Sequence, residues 1–382
     1  MATFASRHVP ELDGVRGIAV IAVLIHHQLT PFRMTGGFLG VDLFFVLSGY
    51  LITSLLFAEF EKTRSISLKN FYIRRVLRLG PALALYLIAS LAVTYHSQLI
   101  SLTRQIWLIV IALLYSTNWR MAFDWDPVLD PTAIIWSLSI EEQFYLVWPI
   151  LVLGCLALKL KRHFLVGGLG LAIVAVMLHR YLLFGEGANL TRLYYGTDTR
   201  ADALLMGCLI ALVPTTVVGI AAKRWLKLAG GVSAGGLAVL MIVSSFGDSF
   251  LYRGGFTGVA LLAGIMIFVA ANFPPRVLSV ALRWGPLRWF GRISYGLYLW
   301  HWLVVRNTSL YYLGQWETGA KLGLSLGIAA ASFYIIEKPF NRLKTRFAVA
   351  PTTSRLAVPP ADAEETIPPG SVPLANYQSP VT

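Results

Sequence analysis

Residues 11–27 read ELDGVRGIAVIAVLIHH, a charged opening, an unbroken apolar stretch and two histidines at the far end. Asp13 is placed to cap a helix N-terminus, and Arg16 then sits at the basic mouth of that helix. Eleven residues are about three turns, so His27 returns to the face of Arg16 roughly 16 Å deeper. That depth is near the middle of a ~30 Å hydrocarbon core. His26 points roughly 80° away from that face by the same arithmetic. A mid-depth histidine aligned above an arginine suits a proton acceptor over a phosphate anchor. It equally suits a hydrogen bond to a neighbouring helix.

The rest of the chain supports a membrane reading. Of 382 residues 56% are hydrophobic and only 13% are charged, against about 25% charged in soluble domains. We count apolar runs at 15–31, 37–57, 79–97, 105–117, 134–158, 164–184, 203–221, 228–246, 256–272, 289–305 and 319–336. Each reads as a helix, because a lone spanning segment must satisfy its own backbone. The net charge of +13 lies between these runs, which favours positive-inside anchoring over nucleic-acid binding. Cys155 and Cys208 fall inside apolar runs and define neither a disulfide framework nor a metal site. The opening ten residues have no cleavable-signal pattern.

Loop charge sets the expected orientation. Basic loops lie at 58–78, 159–162, 223–227, 276–292 and 338–346, whereas 118–133 carries Asp124, Asp126 and Asp130 against Arg120. Placing basic loops in the cytoplasm works throughout if 79–117 makes one net crossing. The short run at 105–117 is then re-entrant or interfacial. The expected fold is all-α and polytopic, with about ten transmembrane helices and both termini cytoplasmic. It forms one membrane domain over 1–349. The stretch 350–382, rich in Pro, Ser and Thr, is expected to be a disordered cytoplasmic tail.

Ionisable groups in such spans usually have a partner or a task. Arg75 and Arg78 share a helix face and suit bidentate phosphate binding or plain anchoring. In WSLSIEEQFYLVW (136–148), Ser137, Glu141, Tyr145 and Trp148 share a face. With Glu142 they suggest a sugar-binding or proton-handling site on the non-cytoplasmic side, although acids also favour a helix start. Asp42 and Ser48 in the second run, and Ser294, Tyr298 and His301 in the late aromatic run, complete the polar set.

Together these residues resemble the acyltransferase-3 family of bacterial membrane acyltransferases, many of which O-acetylate surface polysaccharides. The resemblance runs from about Glu11 to Asn341. It rests on Arg16 followed by His27, on GVDLFFVLSG (40–49) and on Arg75 and Arg78 followed by Pro81. It rests also on WSLSIEEQFY (136–145), on Ser294, Tyr295, Tyr298 and His301, and on Glu337-Lys338-Pro339. The resemblance implies a ten-span fold in the bacterial inner membrane, with His27 essential and Arg16, Arg75 and Arg78 on the donor side.

Under that resemblance, cytoplasmic acyl-CoA, with acetyl-CoA expected, is the donor and no metal takes part. An extracytoplasmic carbohydrate hydroxyl is the acceptor. His27 is expected to act as general base, with an acyl-histidine as the competing route. Glu141 orients His27 or binds the acceptor, with Glu142 beside it. Asp42, Ser48, Trp136, Tyr145, Ser294, Tyr298 and His301 are supporting or substrate-binding. Some relatives carry a fused extracytoplasmic esterase-like domain. This chain ends instead in a short tail, so any such acyl-transfer partner is expected to be a separate protein. A proton-coupled transporter is the principal rival, and a non-catalytic assembly subunit a third reading.

Overall fold

A computed structural model of the protein describes residues 8–28, 34–97, 100–125, 130–214, 219–306, 314 and 316–347. Asp126, most of the 307–318 connection and the 350–382 tail lie outside the described residues. Among the described residues every regular element is helical. The chain runs through α1 (Pro10–Gln28), α2 (Gly40–Thr63), α3 (Leu68–Ser97), α4 (Leu102–Leu113), α5 (Thr117–Ala122) and α6 (Trp136–Ala157). It continues through α7 (Arg162–Gly185), α8 (Leu190–Tyr195), α9 (Thr197–Ala211), α10 (Ile220–Val243) and α11 (Phe256–Asn272). It closes with α12 (Arg276–Leu282), α13 (Gly285–Val305), α14 (Glu317–Ser332) and α15 (Lys338–Leu343). A π-helical turn, Phe333–Glu337, joins the last two.

Seven helices among the described residues are long and apolar enough to cross a bilayer by length and composition. They lie at Gly37–Thr63, Leu68–Ser97, Ala133–Ala157, Arg162–Gly185, Ala221–Val243, Leu251–Asn272 and Glu317–Leu343. The chain is therefore an all-α polytopic membrane protein. The expected ten exceeds the seven that these criteria support. The other three anticipated spans are α1, α9 and α13. Helix α9 has 15 residues, and α1 carries Glu11, Asp13 and Arg16 in its first two turns. These helices are largely buried, so their sequences answer to protein neighbours rather than to lipid. Helices such as α7 instead expose Leu171, Val174 and Leu178, a surface suited to hydrocarbon. Helix α4, at 12 residues, is about 18 Å long and too short to span.

One boundary differs informatively from expectation. The basic stretch 58–78 is mostly helix: α2 runs to Thr63, Arg64 closes it with a left-handed backbone (φ 58°), and α3 begins at Leu68. Charge marks where a helix leaves hydrocarbon, not where its hydrogen bonding stops. Arg74, Arg75 and Arg78 consequently project from a rigid helix rather than a loop.

Helices α1 and α13 lie against each other at close range. A Cβ at Gly291 would collide with the Asp13 carbonyl, and one at Gly17 with that of Leu287. Glycine at both positions lets the backbones approach, as small residues do between membrane helices. Buried ion pairs tie α2 and α7 to α9, Asp42 to Arg200 at 2.9 Å and Arg180 to Asp202 at 2.9 Å, and Arg120 of α5 to Asp130 before α6 at 2.6 Å.

Candidate functional site

The two ends of α1 open into two chambers of different chemistry. The first encloses about 840 Å³ around Arg16, Ser48, Arg75, Arg78, Glu141, Tyr145 and Lys344. Helices α1, α2, α3 and α6 supply all of these but Lys344, which follows α15. Arg74 Nη1 donates to the Phe347 carbonyl at 2.7 Å, fixing the segment after α15 against α3.

The cations in this chamber are not equivalent. Arg75 Nε donates to Glu142 Oε1 at 3.3 Å, and its Nη2 lies 3.9 Å from Glu141 Oε2. Its guanidinium also covers the Tyr145 ring at 3.4 Å. Glu141 accepts from Ser48 Oγ at 2.9 Å and from the Tyr145 hydroxyl at 3.2 Å. Arg75 is thus committed to two carboxylates. Among the described residues no carboxylate lies within ion-pairing distance of Arg16 or Arg78. Lys344 stands with them: burial, then Arg78, Arg16, Arg75 and Arg74, lower its ammonium to about 8. Such a cluster is self-repelling when empty and strongly attracts a polyanion.

The second chamber is smaller, about 110 Å³, and mostly aromatic, with His26, His27, Trp136, Tyr194, Tyr195 and Trp302 on its wall. His27 Nδ1 and His301 Nε2 are 3.0 Å apart, and His301 Nδ1 is 3.0 Å from the Leu297 carbonyl. His301 has no solvent exposure. His26 is exposed and its Nδ1 lies 3.4 Å from the Met34 carbonyl. Both histidines face this chamber, with ring centroids 5.2 Å apart, and it is His27 that reaches His301.

Val41 and Tyr298 line both chambers. The Tyr298 hydroxyl is 2.6 Å from Ser137 Oγ and 3.3 Å from the Ile134 carbonyl. Tyr298 therefore forms part of the wall between the cationic space and the histidine.

The structure gathers most of the anticipated residues. Arg16, Ser48, Arg75, Arg78, Glu141, Tyr145, Ser294 and Tyr298 line the cationic chamber. His27, Trp136 and Tyr298 line the aromatic one, with His301 behind His27. Two assignments change. Glu141 and Glu142 bond the arginine side of the site, and Glu141 makes no hydrogen bond to His27 among the described residues. The cause is that Glu141 lies five residues, about 7.5 Å, along α6 from Trp136, while α3 starts early enough to carry Arg75 to that level. Asp42, 1% exposed, lines neither chamber and is occupied by Arg200. In the sequence Lys344 is only one charge in a basic loop; no local pattern ties it to residues some 270 positions away. Tyr194 and Tyr195 carried no signal beyond their aromaticity.

A family described as an acyltransferase domain matches residues 9–336. The chain is 37% identical over 359 residues to the peptidoglycan O-acetyltransferase OatA of Listeria monocytogenes, covering 89% of this chain and 57% of that protein. It is 35% identical over 354 residues to the putative peptidoglycan O-acetyltransferase YrhL of Bacillus subtilis, covering 88% and 55%. A putative O-acetyltransferase of Staphylococcus aureus (strain COL) is 33% identical over 382 residues, with 92% and 61% covered. The chain thus spans little more than half the length of these relatives. No solved structure matches it.

Proposed function

Since the chain belongs to the family defined by this acyltransferase domain, we propose that it transfers an acyl group, acetyl in the first instance, from acyl-CoA to a carbohydrate hydroxyl. The observation that carries the reading is the pair of chambers at opposite ends of α1, one cationic and one aromatic, divided by Tyr298. The cationic chamber takes the donor. Arg16, Arg78 and Lys344, which form no ion pair with a carboxylate among the described residues, bind phosphates, and Arg75 holds Glu141 and Glu142 in place. Positive-inside charge supports the reading of this as the cytoplasmic face of a bacterial inner membrane. The aromatic chamber takes the acceptor, whose C–H faces pack on Trp136, Tyr194 and Trp302. The names of the peptidoglycan O-acetyltransferase relatives support a cell-wall glycan as that acceptor.

His27 acts as general base. The acceptor oxygen bonds to the thioester carbonyl carbon, the carbon–sulfur bond breaks, and the hydroxyl proton passes to His27 and then to the departing thiolate. The donor's thioester arm reaches this point when the Tyr298 side chain turns aside. The acceptor acts directly or through a separate acyl-transfer protein on the outer face. Membranes containing the chain, given radiolabelled acetyl-CoA and cell-wall glycan, should yield labelled O-acetyl ester. Absence of any ester-linked label above that of membranes lacking the chain overturns the reading.

A further inference from the structure

We infer that His301 is a positioning residue that holds His27 with its proton on Nδ1, leaving the Nε2 lone pair free to accept a proton. The inference follows from hydrogen-bond polarity and deepens the base role proposed for His27, on which its catalytic meaning rests. His301 Nδ1 is 3.0 Å from the Leu297 carbonyl. A carbonyl can only accept, so His301 Nδ1 bears the hydrogen. A neutral imidazole protonated on Nδ1 presents a lone pair at Nε2. His301 Nε2 is 3.0 Å from His27 Nδ1, which is closer than van der Waals stacking of about 3.5–4.0 Å. The ring planes are within 20° and the centroids 5.2 Å apart, so the nitrogens meet edge to edge. With a lone pair already on His301 Nε2, His27 Nδ1 must donate.

Each other assignment meets an obstacle. Two lone pairs facing at 3.0 Å repel. A cationic His301 would need a counter-charge in a site with no solvent exposure, and no carboxylate bonds to it among the described residues. His27 Nε2 is left without a hydrogen-bond partner among the described residues, on the wall of the aromatic chamber. The chain Leu297 carbonyl, His301, His27 thus does with a backbone oxygen and a neutral ring what a carboxylate does for the histidine of a hydrolase triad. It selects the tautomer that can act as a base. The close α1–α13 approach at Gly17 and Gly291 brings the two rings within bonding distance.

The test is nitrogen NMR of the full chain, labelled with ¹⁵N-histidine and held in lipid nanodiscs, with the His27 signals identified by their loss in His27→Asn. Expected is a pyrrole-type Nδ1 and a pyridine-type Nε2 at His27. His301→Phe should move the proton toward Nε2 and lower kcat by about 10²-fold or more, with the donor KM within roughly threefold. His301→Gln, whose amide oxygen can still accept, should keep the Nδ1–H form and restore most of kcat. A proton on Nε2 of His27 in the parent overturns the inference, as does equal loss of kcat in the Gln and Phe variants. If His301→Phe fails to fold, the parent spectrum and His301→Gln still decide. No labelled product from any chain, with the tautomer as expected, counts against acyl transfer and leaves the tautomer assignment standing.

Discussion

The Tyr298 hydroxyl and Ser137 Oγ lie 2.6 Å apart, joining α13 to α6 on the wall between the cationic and aromatic chambers. The ring supplies the barrier and the hydroxyl fixes its position. Removing only the hydroxyl should therefore cost little, and removing the ring should uncouple donor from acceptor. We expect Tyr298→Phe to retain transfer within about threefold, the value of one neutral hydrogen bond near 0.6 kcal/mol. Tyr298→Ala should admit water to the thioester, so that free acetate released from labelled acetyl-CoA rises while O-acetyl product falls. Counting both products in one assay checks this; a Tyr298→Ala chain with the parent's partition between acetate and ester would contradict a dividing wall.

His26 and His27 are adjacent, yet only His27 bonds another imidazole. His27→Ala should reduce transfer by about 10²–10⁴-fold, the usual share of a general base. His26→Ala should leave it within roughly threefold. Initial rates with saturating acetyl-CoA separate the two, and comparable losses would mean that the histidines share the task.

Arg75 and Arg78 are one turn apart and should respond differently. Arg75 is surrounded by Glu142, Glu141 and the Tyr145 ring. Arg75→Ala leaves two half-buried carboxylates without their cation, a loss of roughly 3 kcal/mol visible as a lower unfolding temperature in detergent. Arg78 forms no ion pair among the described residues, so Arg78→Ala should leave thermal stability near the parent. It should raise the donor KM about tenfold, the value of one charge-assisted hydrogen bond near 1.5 kcal/mol. The reverse pattern would exchange their roles.

This contrast also marks what could be read from residue order. Periodicity and spacing located Arg16, His27, the arginine pair and the α6 face, because each is a relation within one helix. Pairings between helices were not legible. Nothing local says that Arg75 meets Glu142 across 67 positions, or that Asp42 belongs to Arg200 at 158. Hydropathy located most of the spans but shortened α3. Its arginine-bearing turns look like loop to a polarity scale, although their backbone is helical. Of the helices that carry the site, α2, α3 and α6 are apolar enough to read as spans, whereas α1 and α13, which bring His27 to His301, are not.

Lys344 gives the site a pH signature. Its ammonium is brought down to about 8 by burial and by Arg78, Arg16, Arg75 and Arg74. On the same chamber wall, Glu141 is bound by Ser48 and Tyr145, and His8 on the rim is bonded to Asp13 at 3.0 Å. Below pH 8 Lys344 is charged and adds to phosphate attraction. Above it the charge is lost, so the donor KM should rise between pH 7 and 9, toward the value for Lys344→Ala. Stability should move oppositely. The unfolded lysine keeps its proton to about 10.4, so between pH 8 and that value the unfolded chain binds more protons, and folding gains as pH rises. Lys344→Arg stays charged throughout and should flatten the rise in KM. Donor KM for parent, Ala and Arg chains at pH 7, 8 and 9 checks the assignment. A rise of equal size in the Arg variant would place the titrating group elsewhere.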